Sequence, residues 1–243
     1  MNKIIYLTLY NAFVKIIPKS FFRLKKIKKI PIIKSIYKKN TFFFIQIGAN
    51  DGILHDPINY YINKYKWKGI FIEPVDQYFS KLKRTYAKNK GLFFENSAIS
   101  NKNEKKKIYK VKENTKHVAD WYQGIASFDK NNLLRHKYAF PEIEKFIEEQ
   151  LINCITFQYL INKYKVKNID LLCIDVEGHE MVIIKQLLTL NVKPKVIYYE
   201  HKHMSKIQRQ ECKNILSSLG YIFEKSFSHT NTLCFLEYKK NNI

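Results

Sequence analysis

Acidic residues are scarce in this chain, and none precedes Asp51. Lysine and arginine outnumber aspartate and glutamate 43 to 21, which leaves a formal charge of +22. That balance invites a nucleic-acid partner. Arginine is scarce as well, and this weakens the reading. Only Arg23, Arg84, Arg135 and Arg209 are present, so 39 of the 43 basic residues are lysine. Readers of bases and phosphates favour the planar guanidinium fork. Lysine excess beside many asparagines and isoleucines fits compositional drift better. The four cysteines, Cys154, Cys173, Cys212 and Cys234, show no C-x-x-C spacing. A chain this long needs no disulfide staples, so a buried free thiol is expected at Cys173 and a reducing cytosol fits. No internal repeat is present. No run reaches the roughly 20 apolar residues that span a bilayer. The uncharged stretch Ile4–Val14 lacks a small-residue cleavage site, which argues against a signal peptide.

What is present divides the chain in two. At 243 residues and 46% hydrophobic content, it fits one α/β domain with an appendage. We expect an extension over residues 1–40 and a domain over residues 41–243. The extension holds eleven basic residues and no acid. Tyr6, Leu9, Tyr10, Phe13 and Ile17 fall on one helical face, opposite Thr8, Asn11, Lys15 and Lys19. Two readings are open: a helix docked on the domain, or a basic amphipathic helix lying on anionic membrane. The second puts the protein in the cytoplasm, peripheral at the inner membrane face.

From Thr41 strand and helix alternate. Strands are expected at Phe42–Ile47, Gly69–Ile72, Leu92–Phe94, Ile108–Val111, Ile169–Ile174, Val196–Tyr199, Tyr221–Phe227 and Thr232–Tyr238. Helices are expected at Pro57–Tyr65, Gln77–Lys88, Glu142–Leu151, Glu180–Leu190 and Lys206–Leu219, the last ending at Gly220. Lys102–Lys107 reads as a charged turn, and Asn114 to Tyr138 as irregular. Continuous apolar strands imply a mostly parallel, doubly wound sheet covered on both faces, with an antiparallel edge.

In such a sheet, ligands sit beyond the carboxyl ends of the strands. Four of those ends carry polar groups: Gly48-Ala49-Asn50-Asp51-Gly52, Glu73, Asp175-Val176-Glu177-Gly178, and Glu200-His201-Lys202-His203. Gly48 and Gly52 would let backbone approach a ligand closely. Glu73 can accept from a ribose diol. The glycine turn is not G-x-G-x-x-G, and no G-K-[ST] follows. A turn without a phosphate cradle suits a cofactor without pyrophosphate, such as S-adenosylmethionine.

Residues 42–52, Phe71-Ile72-Glu73-Pro74, Asn96-Ser97-Ala98-Ile99-Ser100 and the run from Ile169 to Glu180 resemble the FkbM family of S-adenosylmethionine-dependent methyltransferases. The resemblance runs from about Thr41 to Tyr238. It implies a class I methyltransferase-like (Rossmann-like) fold and O-methylation of a hydroxyl on a sugar, glycan or small metabolite. By position it implies Gly48, Ala49, Asn50 and Gly52 along the methionine and ribose, and Glu73 on the ribose hydroxyls. Ser97 and Ala98 would flank the adenine, while Asp51 and Pro74 complete the cofactor contacts. Asp175 and Glu177 would face the reacting end. Many family members carry Asp where this chain has Gln46. Either Asp51 supplies that charge or Gln46 simply packs. The stretch Trp121–Tyr138 reads as a substrate lid or as an ordinary surface loop.

For the chemistry, His201 is the favoured general base, because an imidazole titrates near pH ~6.5. Asp175 competes for that role. A divalent metal on Asp175, Glu177, His201 and His203 is a third and less favoured reading. His55, His117 and His136 are expected in surface or lid roles. Two other functions stay open. A nucleic-acid methyltransferase is one, although the Asn/Asp-Pro-Pro-Tyr motif of amino-methylating DNA enzymes is absent. A non-catalytic, membrane-associated binding module is the other.

Overall fold

A computed structural model describes residues 37–39, 41–54, 56–112, 124–224 and 229–237. The expected helix of the extension, His55, His117 and the start of the suggested lid lie outside those residues.

Seven strands form the main sheet. In chain order they are β1 (Phe43–Ile47), β2 (Lys68–Ile72), β3 (Leu92–Glu95), β8 (Leu171–Ile174), β9 (Val196–Glu200), β10 (Tyr221–Phe223) and β11 (Asn231–Leu236). Their order across the sheet is β10-β11-β9-β8-β1-β2-β3. β1 sits at the switch point, parallel to β2 on one side and β8 on the other. β11 alone runs antiparallel to its neighbours β9 and β10. This is the class I methyltransferase-like doubly wound sheet with an antiparallel edge that the sequence predicted.

Strand periodicity of two explains the double burial. Ile45, Ile47, Leu172, Ile174 and Ile197 face one apolar layer. Phe44, Leu171, Cys173, Val196 and Tyr198 face the other. The first layer packs on α4 (Phe157–Lys163), α5 (Glu180–Gln186) and α6 (Lys206–Ser218). The second packs on α1 (Asn59–Tyr65) and α2 (Asp76–Thr85). Ser205 begins α6 with a capping box, its hydroxyl accepting from Gln208 N while the Gln208 side chain accepts from Ser205 N. All four cysteines are free and buried.

A second sheet was not foreseen. Its order is β4-β7-β5-β6, formed by β4 (Ala98–Ile99), β5 (Glu104–Val111), β6 (Ala126–Ser127) and β7 (Ile147–Ile155). The charged turn expected at Lys102–Lys107 is largely strand, because β5 begins at Glu104. The helix expected over Glu142–Leu151 is also corrected: one turn of 3-10 helix at Ile143–Phe146 leads into β7. Glutamates are good helix formers, but tertiary pairing overrides that preference here. β7 runs antiparallel to β5 along its length. Glu149 pairs with Lys107 at 2.8 Å, and Glu148 pairs with Lys110. Beneath them Ile108, Ile152 and Cys154 make a small apolar core. α3 (Lys130–Leu134) follows β6 and carries Asn132 toward the main sheet.

Candidate active site

The ends of β1, β2, β8 and β9 open on one cavity of about 700 Å³. Gly48, Ala49, Asn50, Glu73, Pro74, Ser97 and Ala98 line one part of it. Asp175, Glu177, Glu200 and Lys202 line another.

At the first end, Glu73 is buried at 5% exposure. Its Oε2 accepts from Asn50 N at 2.8 Å and its Oε1 from Val75 N at 2.9 Å. Asn50 is left-handed, with φ 49°, and this turns its N–H toward the carboxylate. Burial raises the Glu73 pKa to about 7, against the lowering pull of the two N–H donors.

The two glycines of the turn serve packing. A Cβ on Gly48 would stand 1.7 Å from the Asp175 carbonyl oxygen, so this glycine lets the β1 and β8 ends meet. A Cβ on Gly52 would stand 2.5 Å from the Tyr86 ring and 2.8 Å from Leu82. Gly52 therefore serves the contact with α2 and does not line the cavity. That corrects its expected cofactor contact. Asp51 is corrected too. Its Oδ1 accepts from Ile53 N and Leu54 N, both at 2.8 Å, and it is absent from the cavity wall.

Asp56 is the residue the sequence reading missed. It lines the cavity, and its Oδ2 accepts from Gln46 Nε2 at 3.4 Å. Its Oδ1 accepts from Ile58 N and Asn59 N as α1 begins. Burial raises its pKa to about 7. Gln46 Oε1 is buried with no hydrogen-bond partner. The D-P-x-N sequence starting a helix was the available signal for Asp56 as a capping residue.

At the second end, Glu177 is left-handed at φ 51°. Its carbonyl accepts from Ser127 Oγ and Asn132 Nδ2, both at 2.8 Å, so the second sheet and α3 hold this bend. Glu180 is structural. Buried at 1% exposure, its carboxylate accepts from Val176 N at 3.0 Å and Gly178 N at 3.1 Å.

Asp175 stays accessible to the cavity, although protein surrounds it. Its pKa is raised, first by withdrawal from bulk water and then by the charges of Glu200, Glu177 and Glu180.

His201 is not brought to the cavity. Its Nδ1 lies 2.8 Å from Thr232 Oγ1 and its Nε2 3.0 Å from the His229 carbonyl oxygen. Both ring nitrogens are thus engaged with the β11 side of the fold, which corrects its expected role as base. His203 stands at the site instead, its Nε2 2.8 Å from Glu177 Oε2 and 3.8 Å from Glu200 Oε2. His136, expected on the surface or in a lid, is buried and lines the cavity.

The FkbM methyltransferase domain model matches residues 46–228. The chain belongs to the FkbM methyltransferase family. None of the curated proteins matches it. Among solved structures, methyltransferase FkbM from Methylobacillus flagellatus is 13% identical, with a TM-score of 0.48. That match covers 82% of this chain and 44% of the other, so the chain spans less than half the length of that relative. The METTL16 methyltransferase domain is 12% identical at a TM-score of 0.49, covering 89% and 66%. Aeropyrum pernix fibrillarin, solved with S-adenosyl-L-methionine, is 8% identical at a TM-score of 0.41, covering 82% and 67%.

The cofactor of this FkbM chain is S-adenosylmethionine, and the first end of the cavity fits it. Asp51 and Asp56 already consume the amides of Ile53, Leu54, Ile58 and Asn59, so these four described amides offer no cradle for a pyrophosphate. A carboxylate has about four lone-pair sites, and backbone takes one on each Glu73 oxygen. The rest suit a ribose diol. Ile72, Pro74, Ala98 and Ile99 offer apolar wall for a base.

Proposed function

We propose that the protein O-methylates a hydroxyl of a sugar, glycan or small metabolite. The observation that carries this is the accessible Asp175 carboxylate on the cavity wall, within a cluster of carboxylates that favours its taking a proton. When bound, S-adenosylmethionine supplies an electrophilic sulfonium methyl. Glu73 accepts from the ribose hydroxyls, and Ser97 and Ala98 flank the adenine. Gly48, Ala49 and Asn50 follow the ribose and methionine. Gln46 Oε1 and Asp56 accept from the methionine ammonium, the role that family members give to Asp at the position of Gln46. The acceptor hydroxyl meets Asp175, which orients it and takes its proton. Glu177 and Glu200 stand beside Asp175 on the same cavity wall and make this end acidic. Positioning supplies much of the rate, because the leaving group is already a good one.

Residues 41–243 form the methyltransferase domain on this reading. The basic residues of 1–40 add affinity for anionic membrane, at about 1 kcal/mol per residue near the surface. Co-sedimentation of full-length and shortened chains with anionic vesicles separates that role from the chemistry.

The deciding experiment supplies S-adenosylmethionine labelled in its methyl group together with a panel of sugar nucleotides and cell-surface glycans. Label should appear as a base-stable methyl ether and should require Asp175. Label found in nucleic acid, or in no acceptor although the cofactor binds, would overturn the proposal.

A further inference from the structure

We propose that Glu177, Glu200 and His203 form a site for a divalent cation of the Mn²⁺ class. One carboxylate oxygen from each glutamate and one imidazole nitrogen lie within 4.8 Å of one another. His203 Nε2 is 2.8 Å from Glu177 Oε2 and 3.8 Å from Glu200 Oε2. Around a cation bound at about 2.1–2.2 Å, adjacent ligands stand roughly 3 Å apart and opposite ones about 4.3 Å. The observed spacings fall within or close to that range, so small side-chain movements would close the site.

His203 supplies the independent sign of a ligand. Its side chain is only 4% exposed, and Nε2 meets Glu177 without the alignment of a hydrogen bond. That nitrogen faces two carboxylates at once, and a cation among the three would take a lone pair from each. Charge points the same way. Asp175, Glu177, Glu180 and Glu200 converge at this end, and Lys202 lines the cavity beside them.

The ligands are held from behind, as metal ligands generally are. Ser127 and Asn132 fix the Glu177 backbone. A turn returns His203 beside the end of β9, closed by Met204 N donating to the His201 carbonyl at 3.2 Å. Arg209 Nε donates to the Met204 carbonyl at 3.1 Å, and both His201 nitrogens tie the turn to residues 229–232. This gives the engaged His201 a purpose: it anchors the strap that carries His203.

The donor set selects the cation class. Calcium prefers six to eight oxygens, and structural zinc prefers a closed cysteine and histidine set. Two carboxylates and one imidazole, with open positions toward a cavity, suit Mn²⁺, with Mg²⁺ as a weaker occupant. Its use would be to receive oxygens of the acceptor. That use rests on the methyl-transfer reading, whereas binding of the ion does not.

The test is titration of Mn²⁺ into the full chain without cofactor or acceptor, followed by the electron paramagnetic resonance of free Mn²⁺. One ion should bind per chain, with nitrogen coupling from imidazole in the bound spectrum. His203→Ala should remove that coupling and weaken binding at least about 10–100-fold. Glu200→Gln should weaken binding while keeping the coupling. Circular dichroism melts establish that each variant folds, and Glu177→Gln replaces any that does not. Mn²⁺ that stays free with the wild type, or that binds folded variants equally well, would show an ion pair and not a metal site. Methyl transfer plays no part in this readout, so failure here leaves the proposed activity standing, and failure of that activity leaves this site standing.

Discussion

The two ends of the cavity treat their carboxylates differently. Glu73 is buried, and each of its oxygens accepts a backbone N–H. Asp175, Glu177 and Glu200 crowd one another and meet side chains, chiefly His203 and Lys202. Backbone donors cannot move far, so the Glu73 end suits a ligand held in the same way in every turnover. The Asp175 end is electrostatically unsatisfied, so it suits a proton, an acceptor hydroxyl or a cation that comes and goes. A fixed half and a crowded, acidic half share one cavity.

Substituting one residue in each half should break the comparison cleanly. The largest effect is expected at Asp175. Asp175→Asn should lower turnover about 10²–10⁴-fold, the range for a general base, with little change in cofactor affinity by calorimetry. Equal turnover in the variant would remove Asp175 from the chemistry.

Glu73→Ala should do the reverse. Cofactor affinity should weaken by about 1–3 kcal/mol, the scale of lost hydrogen bonds to a charged group, with turnover at saturating cofactor largely kept. An unchanged affinity would mean that Glu73 only braces Asn50 and Val75. Gly52→Ala tests the scaffold behind that half. Its methyl would press on Tyr86 and Leu82 at a φ of +73°, so urea midpoints should report a loss of about 1–3 kcal/mol. A neutral result would show that α2 yields.

A smaller effect concerns pH. The Glu73 pKa is raised from 4.5 to about 7 on folding. Between those values the folded chain binds the proton that the unfolded chain releases. The stability linked to this proton is therefore full below about pH 4.5 and lost as pH rises through 7. Lowering pH from 8 to 6 should add about 1 kcal/mol through this group. Glu73→Gln should flatten that part of the melting curve, and an identical pH dependence in both proteins would discard the assignment. The smallest effect is expected at His201. His201→Ala should cost about 1 kcal/mol of stability for its lost hydrogen bonds, and should leave cofactor affinity unchanged.

Much of the fixed half was legible because its parts are local in sequence. The apolar run before Gly48 and the one before Glu73 each name a buried strand, and the strand ends follow directly. Gly48 and Gly52 were legible as special positions but not in purpose, because the atoms they make room for belong to Asp175, Tyr86 and Leu82. Asp51 and Asp56 were exchanged for the same kind of reason. Both cap a turn, and only one of the two turns faces the cavity. β7 is strand where its glutamates favour helix, because the lysines of β5 lie across from them.

The sequence by itself determined the family, the doubly wound sheet, the cofactor and the strand ends that carry chemistry. Periodicity and short motifs report directly on neighbours along the chain. Only the tertiary structure decided which histidine stands beside Glu177 and Glu200. His201 and His203 are two residues apart, and nothing local separates them. Thr232 and the His229 carbonyl take up one ring, while Glu177 and Glu200 receive the other. Those partners come from strand ends and loops far apart in the chain, brought together by the pairing of β8, β9 and β11.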